Sequence, residues 1–278
     1  MVKSFFAPSQ VEEAVTLKRD KAKSFFLAGG TLLNAGKRTG EVNFISLHKL
    51  ALHHIEKREG ALHIGAMATL QGIADSPLPA ENGLGALSES CRALTKNIRN
   101  MATLGGAIAS NYTRSDIIPV LLAAGARLAV EGTDKKSLSL EEYIPLRASG
   151  NQALIREVII PIPGSCATLR AARFARTSLD LPLVKVAALI TLENGHCKTA
   201  RIAAGGLAPQ AARLPELEKF IEGKSCGALA PGDSEALEAL TVKTLSPKDD
   251  MRATGAFKKA LIKALLEDIL YESGKEAR

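Results

Sequence analysis

The sequence predicts an α+β fold in two unequal parts. Runs with strand character and runs with helix character are partly segregated, as in α+β proteins and unlike a doubly wound parallel sheet. Asn194-Gly195 lies between two apolar runs, the strongest short-range hairpin signal. The chain then ends on a long amphipathic helix, with Phe257, Leu261, Leu265 and Ile269 in one i+4 row and Ile262, Leu266 and Leu270 in the next. A length of 278 residues suits two domains. We place their boundary near residue 165, giving a region 1–165, subdivided at about residue 55, and a smaller region 166–278.

Taken in order, Val11 to Lys23 has a helical pattern, and Ser24 to Ala28 is a short apolar run that enters the turn Gly29-Gly30 as a strand would. After the basic stretch Gly36-Lys37-Arg38-Thr39-Gly40, strands are expected at Val42 to Leu47 and Ala61 to Gly65. The best helical period spans Gly83 to Asn100, where Leu84, Leu87, Cys91, Leu94 and Ile98 step by 3, 4, 3 and 4 residues along one core-facing side of a single helix. Arg92, Lys96 and Arg99 form a positive stripe on the other side, the usual look of a solvated face. Gly105-Gly106 is expected to break the helix, and Ser115-Asp116 to cap a new one running to Ala124. Ala126, Leu128 and Val130 alternate as a strand face, and Ala153 to Pro163 is a β-rich run. Beyond it, Leu169 to Arg176, Leu183 to Leu192 and Ala200 to Ala204 read as strands, the last two joined by a type I′ turn at Asn194-Gly195. Helices are expected near Leu214 to Ile221 and Glu235 to Val242.

A hydrophobic fraction of 46% and a charged fraction of 23% exclude wholesale disorder and collagen-like repeats. No apolar run reaches the roughly 18 residues of a membrane span, and the opening MVKSFFAPSQVEEA lacks the apolar core of a secretory signal. A cytoplasmic protein with no membrane span is the expectation. The net charge of +7 would attract nucleic acid, acidic protein surfaces or a phosphorylated cofactor. With no Trp and only 4% aromatic residues, the chain has few platforms on which bases could stack, so nucleic acid is disfavoured. Cys91, Cys166, Cys197 and Cys226 show no C-x-x-C spacing, and no metal site built by this chain alone is expected. His48, His53, His54 and His63 match no helical ligand pair and read as surface or strand-edge residues.

Two glycine pairs stand out, Ala28-Gly29-Gly30-Thr31 after a strand and Thr103-Leu104-Gly105-Gly106 after the basic-striped helix. Consecutive N–H groups in such turns can form an anion nest, for which a pyrophosphate is a natural guest. At about 1.5 to 3 kcal/mol per charge-assisted bond, three or four amides with the Thr31 and Thr103 hydroxyls would hold one. Other phosphate motifs fail on spacing. Gly30 and Gly36-Lys37-Arg38-Thr39 have five residues between the glycines where a P-loop has four, and Arg38 stands where a magnesium-binding hydroxyl belongs. Gly83-Leu84-Gly85 follows Pro77 and Pro79, which cannot form the strand that a dinucleotide fingerprint requires.

The two loops, AGGTLLN at 28–34 and IRNMATLGGAIASNYTRSDIIPVLLA at 98–123, together resemble the FAD-binding medium subunit of the molybdenum hydroxylases, the family of xanthine dehydrogenase and carbon monoxide dehydrogenase flavoproteins. LHIGAMATL at 62–70, REVIIPIP at 156–163, ARIAAGGLAPQAARL at 200–214 and DDMRATGAFKKALIKALL at 249–266 extend the likeness, in family order, over nearly the whole chain. The resemblance implies a two-subdomain FAD-binding region and a smaller C-terminal α+β domain with an antiparallel sheet and helices. It implies that FAD pyrophosphate is wrapped by Ala28, Gly29, Gly30, Thr31, Leu32, Leu33 and Asn34 of the first loop and by Thr103, Leu104, Gly105, Gly106 and Ala107 of the second. Asp116 would hold ribityl or ribose hydroxyls, and Arg173 stands where the family often has a lysine near the flavin. The chain departs from the pattern at Ala107, where Asn is common, in the Asn34 and Lys37-Arg38 region, and at Tyr112-Thr113-Arg114, where the family has small residues and a proline.

The implied role is that of an oxidoreductase subunit, taking electrons from an iron-sulfur partner in a complex whose molybdopterin subunit binds substrate, and passing them to NAD or another acceptor. No catalytic side chain is expected, because the protein's task is to position the flavin. Two readings stay open beside it: a flavin-free structural subunit of such a complex, motivated by Ala107 and Arg114, and a nucleotide-phosphate enzyme built on the Lys37 loop.

Overall fold

Three small sheets organise the described residues, each with at least one face covered by helices. They are seen in a computed structural model that describes residues 1–33, 40–150, 153–207 and 210–276. The first sheet is parallel, with β1 (Val2–Phe6), the crossover helix α1 (Val11–Asp20), β2 (Ser24–Leu27) and β3 (Val42–Ser46) in the strand order β1-β3-β2. Its core is small: Ala14, Ile45, Leu47 and Leu50 pack with Met67 and Leu154 of the next unit.

The second sheet is antiparallel. It contains β4 (Ile55–Arg58), β5 (Ala61–Gly65), β6 (Arg127–Glu131), β7 (Ser137–Ser139) and β8 (Leu154–Pro161) in the order β4-β5-β8-β6-β7. Between β5 and β6 the chain forms six short helices: α2 (Leu70–Asp75), α3 (Leu78–Glu81), α4 (Gly85–Arg92), α5 (Lys96–Met101), α6 (Leu104–Ser110) and α7 (Ile118–Ala123). A seventh, α8 (Leu140–Ala148), follows β7 and opens with a capping box between Ser139 and Glu142.

The third sheet is also antiparallel, with β9 (Ala167–Phe174), β10 (Val184–Glu193), β11 (His196–Gly205) and β12 (Ala212–Arg213) in the order β12-β11-β10-β9. Asn194 and Gly195 both have positive φ, 53° and 76°, as the expected type I′ turn demands. The helices α9 (Pro215–Ile221), α10 (Pro231–Thr244) and α11 (Gly255–Glu276) complete this part. Strand side chains alternate between faces, so Val184, Val186, Ala188 and Ile190 pack against the Leu261, Ile262, Leu265 and Leu266 rows of α11. The opposite face presents Ala187 and Ala203, which join the core of the middle part with Ile118, Val120 and Leu121 of α7. The α+β expectation holds. Among the described residues, no helix is long and apolar enough to cross a membrane.

Two local expectations are corrected. The period from Gly83 to Asn100 is not one helix: α4 stops at Arg92, and Thr95 is extended, with φ −60° and ψ 147°, before α5 begins. Arg99 accounts for the break by donating to the Arg92 and Leu94 carbonyls at 3.0 and 3.2 Å, which satisfies acceptors that a continuing helix would have used. Ile98, expected in the core, is 43% exposed. Nor are Arg92 and Arg99 simply solvated, because Arg92 donates to the Ala74 carbonyl and Arg99 Nε to Gln71 Oε1 at 2.5 Å. The second correction concerns Gly105-Gly106, which lies inside the first turn of α6 and does not break a helix.

Candidate cofactor site

The carboxyl end of β2 leads through Ala28 and Gly29 into Gly30, whose φ of 69° suits glycine. Gly29 is fixed by contact instead. A Cβ there would lie 1.7 Å from the Met101 carbonyl oxygen and 3.1 Å from Ala102 Cα, so any side chain would push the first loop off the end of α5. The second loop begins one residue later, and a Cβ on Gly106 would lie 3.9 Å from the Ala28 methyl. The two glycine loops are thus neighbours in space. Leu32 (48% exposed) and Met101 (54% exposed) stand at their rim.

The two loops differ in what they offer an anion. Thr103 caps α6, its Oγ1 accepting from the Gly106 amide at 3.1 Å. The Leu104 and Gly105 amides donate to the Ala68 and Ala66 carbonyls at 3.0 and 2.9 Å, and the Ala107 amide to the Thr103 carbonyl at 2.9 Å. The nest expected at the second loop is therefore not formed, because all four amides are spent inside the protein. Gly105 serves close packing, since a Cβ would lie 2.6 Å from the Ala66 methyl, and Leu104 is a core side chain. The amides of Gly29, Gly30 and Thr31, by contrast, donate to no described residue. Leu33 is half-buried at the end of this turn. Asn34, Lys37 and Arg38 lie outside the described residues.

Asp116 lies beyond the far end of α6, whose seven residues make it about 10 Å long. Asn111 ends the helix in the left-handed region, with φ 47°, and Ser115 Oγ accepts from the Ile117 and Ile118 amides at 3.2 and 3.3 Å to start α7. Between them, Arg114 donates to the Tyr112 hydroxyl at 3.0 Å. The Asp116 side chain is almost fully buried, with Arg173 Nε of β9 at 3.1 Å from its Oδ1. That N–H is not aimed at the oxygen, so both atoms are ion-paired without a hydrogen bond. The other two Arg173 nitrogens donate to the carbonyls of Ser178, at 2.9 Å, and Asp180. Burial pushes the Asp116 carboxyl above its ordinary range, and the positive charges of Lys185 and Arg173 pull it back. No motif marks Lys185. Its one sequence signal is a lysine inside the apolar run LPLVKVAALI, on a strand expected to be buried.

The histidines and three of the four cysteines lie elsewhere. His54 Nε2 and His63 Nδ1 bind Glu157 at 2.7 and 3.0 Å, joined by Arg58 at 2.5 Å. Burial holds the Cys91 thiol protonated, pushed up to about 12. Cys197 and Cys226 are buried in the third core, and Cys166 is exposed.

Glycine-only contacts, three uncommitted amides and, beyond α6 along the chain, a buried carboxylate oxygen without a hydrogen-bond donor suit an elongated ligand with an anionic end and a hydroxyl-bearing part. Fold and loops together define a dinucleotide-cofactor subunit. Residues 1–163 match the model of the FAD binding domain in molybdopterin dehydrogenase, and residues 169–273 match the CO dehydrogenase flavoprotein C-terminal domain. The chain is 33% identical to the uncharacterized protein YgfM of Escherichia coli (strain K12), over 100% of both chains. It is 26% identical to the putative xanthine dehydrogenase FAD-binding subunit XdhB of the same organism, over 97% of this chain and 95% of that one. A chain in the crystal structure of quinoline 2-oxidoreductase from Pseudomonas putida 86 shares the fold, with a TM-score of 0.88, 23% identity and coverage of 99% and 97%. The chain belongs to the family of molybdopterin-dehydrogenase FAD-binding subunits, and it is an oxidoreductase subunit whose cofactor is FAD.

Proposed function

We propose that this chain is the electron-output flavoprotein of a heteromeric molybdenum hydroxylase, assembled with an iron-sulfur subunit and a molybdopterin subunit. The carrying observation is the apposition of the two loops, with Gly29 against Met101 and Ala102, and Gly106 against Ala28. The Gly29, Gly30 and Thr31 amides would receive the pyrophosphate, while Thr103 to Ala107 form the wall that holds the first loop in place. Asp116 would accept from the ribityl or ribose hydroxyls, with Arg173 alongside. Bound FAD supplies the redox chemistry, accepting electrons from the partner's clusters and passing a pair to NAD or another external acceptor. This chain's residues bind and orient it, and no side-chain acid or base is required.

The division near residue 165 belongs to the same proposal. It is supported by the gap between β8, ending at Pro161, and β9, starting at Ala167, and the inner division near residue 55 by the gap between Ser46 and Ile55.

The purified chain is expected to carry oxidised flavin absorbing near ~450 nm. Gly29→Val, which forces a branched side chain against the Met101 carbonyl, expels it, whereas Lys37→Ala leaves it in place. Isolation from its host should yield the chain together with a cluster-bearing and a molybdopterin-bearing subunit. A colourless wild-type chain, or one that associates with neither subunit, overturns the reading.

A further inference from the structure

Where the third sheet meets α7, the row before the last on its face carries only methyl groups. Ala171, Ala187 and Ala203 lie side by side in register, and the next row on that face is Arg173, Lys185 and Gly205. Lysine is an unfavourable choice there. Lys185 is 4% exposed, and burial acts against its positive charge. The groups facing it are Asp116 from the segment before α7, Arg173 from β9, and Glu89 and Cys91 from α4. Glu89 is exposed and the Cys91 thiol is held neutral, so the buried charges are two cations against one carboxylate.

Arg173 does not settle Asp116 by itself. Two of its nitrogens are committed to the carbonyls of Ser178 and Asp180, and the third is misaligned with Asp116 Oδ1. Asp116 is thus buried among positive charges while its Oδ1 has no hydrogen-bond donor in place. We propose that Lys185 is a positioning residue for the cofactor: with Arg173 it keeps the Asp116 carboxylate ionised and in place, ready to accept from a hydroxyl of the FAD sugar or ribityl chain. This rests on the reading of Asp116 given under Proposed function.

The test is a titration of wild type, Lys185→Arg and Lys185→Met with FAD from about pH 5.5 to about pH 8.5, a window between the ordinary carboxyl and lysine ranges. Removing the cation raises the carboxyl's proton affinity, so the protonated form, which no longer accepts at both oxygens, accumulates as pH falls. Lys185→Met is therefore expected to bind FAD about twofold more weakly at the acid end and to recover toward the alkaline end, the loss that follows when a carboxyl that stays ionised across the window in wild type holds its proton about tenfold more tightly. Wild type and Lys185→Arg stay flat. Without FAD, Lys185→Met should melt no lower than wild type, because an incompletely paired buried cation has been removed. A Lys185→Met profile parallel to that of wild type, or a Lys185→Arg variant that behaves like it, overturns the proposal. If wild type itself binds no FAD, the parent reading fails, and this one with it.

Discussion

Glu157 shows what a single carboxylate can tie together. It sits on β8 and receives His63 from β5, His54 from the segment before β4, and Arg58 from β4. Burial pushes its carboxyl up, but the bonds from His63 and His54 outweigh that and hold it below its ordinary 4.5. A carboxyl lowered by folding stabilises fully above its unfolded value and loses that contribution as pH falls through the folded one. Glu157→Gln should therefore destabilise the chain by about 1 to 3 kcal/mol near neutral pH. In denaturant melts followed against pH, the gap to wild type should close as pH falls below 4.5. A gap that persisted in acid would mean that Glu157 acts through packing instead of charge. This cluster joins residues far apart in sequence, so the histidines were legible only as lying near strand edges. Gly29 was legible because glycine is the residue that tolerates such close backbone approach. Lys185 was not, since neither spacing nor motif marks it.

At the scale of elements, sequence signals succeeded where a local rule is strict. The Asn194-Gly195 hairpin follows from two adjacent positive φ values, and α11 from two parallel apolar rows. They failed where a distant side chain decides. The continuous period from Gly83 to Asn100 is overridden by Arg99 turning back onto α4, and Gly105-Gly106 is helical because Thr103 caps it and Ala66 and Ala68 take up its amides. The edge strands β1, β4 and β7 are only three to five residues long and mostly exposed, so they show little apolar alternation. The cap on α6 offers a direct check. Thr103→Val keeps the shape but removes the acceptor for the Gly106 amide, and should cost about 1 kcal/mol in urea unfolding. Because α6 backs the first loop, flavin retention should fall with it. Unchanged stability would show that the cap contributes nothing to holding the loops together.

The whole molecule is less divisible than its three sheets suggest. Ala187 and Ala203 belong to the third sheet by connectivity, yet they lie in the core built by the middle part. Arg201 of β11 reinforces the seam, donating to the Leu122 and Ala123 carbonyls at 3.2 Å each and to Glu141 at 2.9 Å. Calorimetry of the chain is accordingly expected to give one cooperative transition, with calorimetric and van't Hoff enthalpies in agreement. Two resolved transitions would show that the seam is weak. This shared core was not readable from the sequence, because an alanine-rich strand does not announce which neighbour will cover it.

That single row of methyl groups also works as a spacer. α7 rests on side chains of the smallest apolar volume, and Asp116 is carried two residues ahead of that helix, so its separation from Arg173 and Lys185 is set by how closely helix and strands can settle. Extra carbon at position 187 would act as a wedge, prising the acid from its cations without touching any of the three. In this way the electrical balance around the carboxylate is governed by the thickness of a greasy seam.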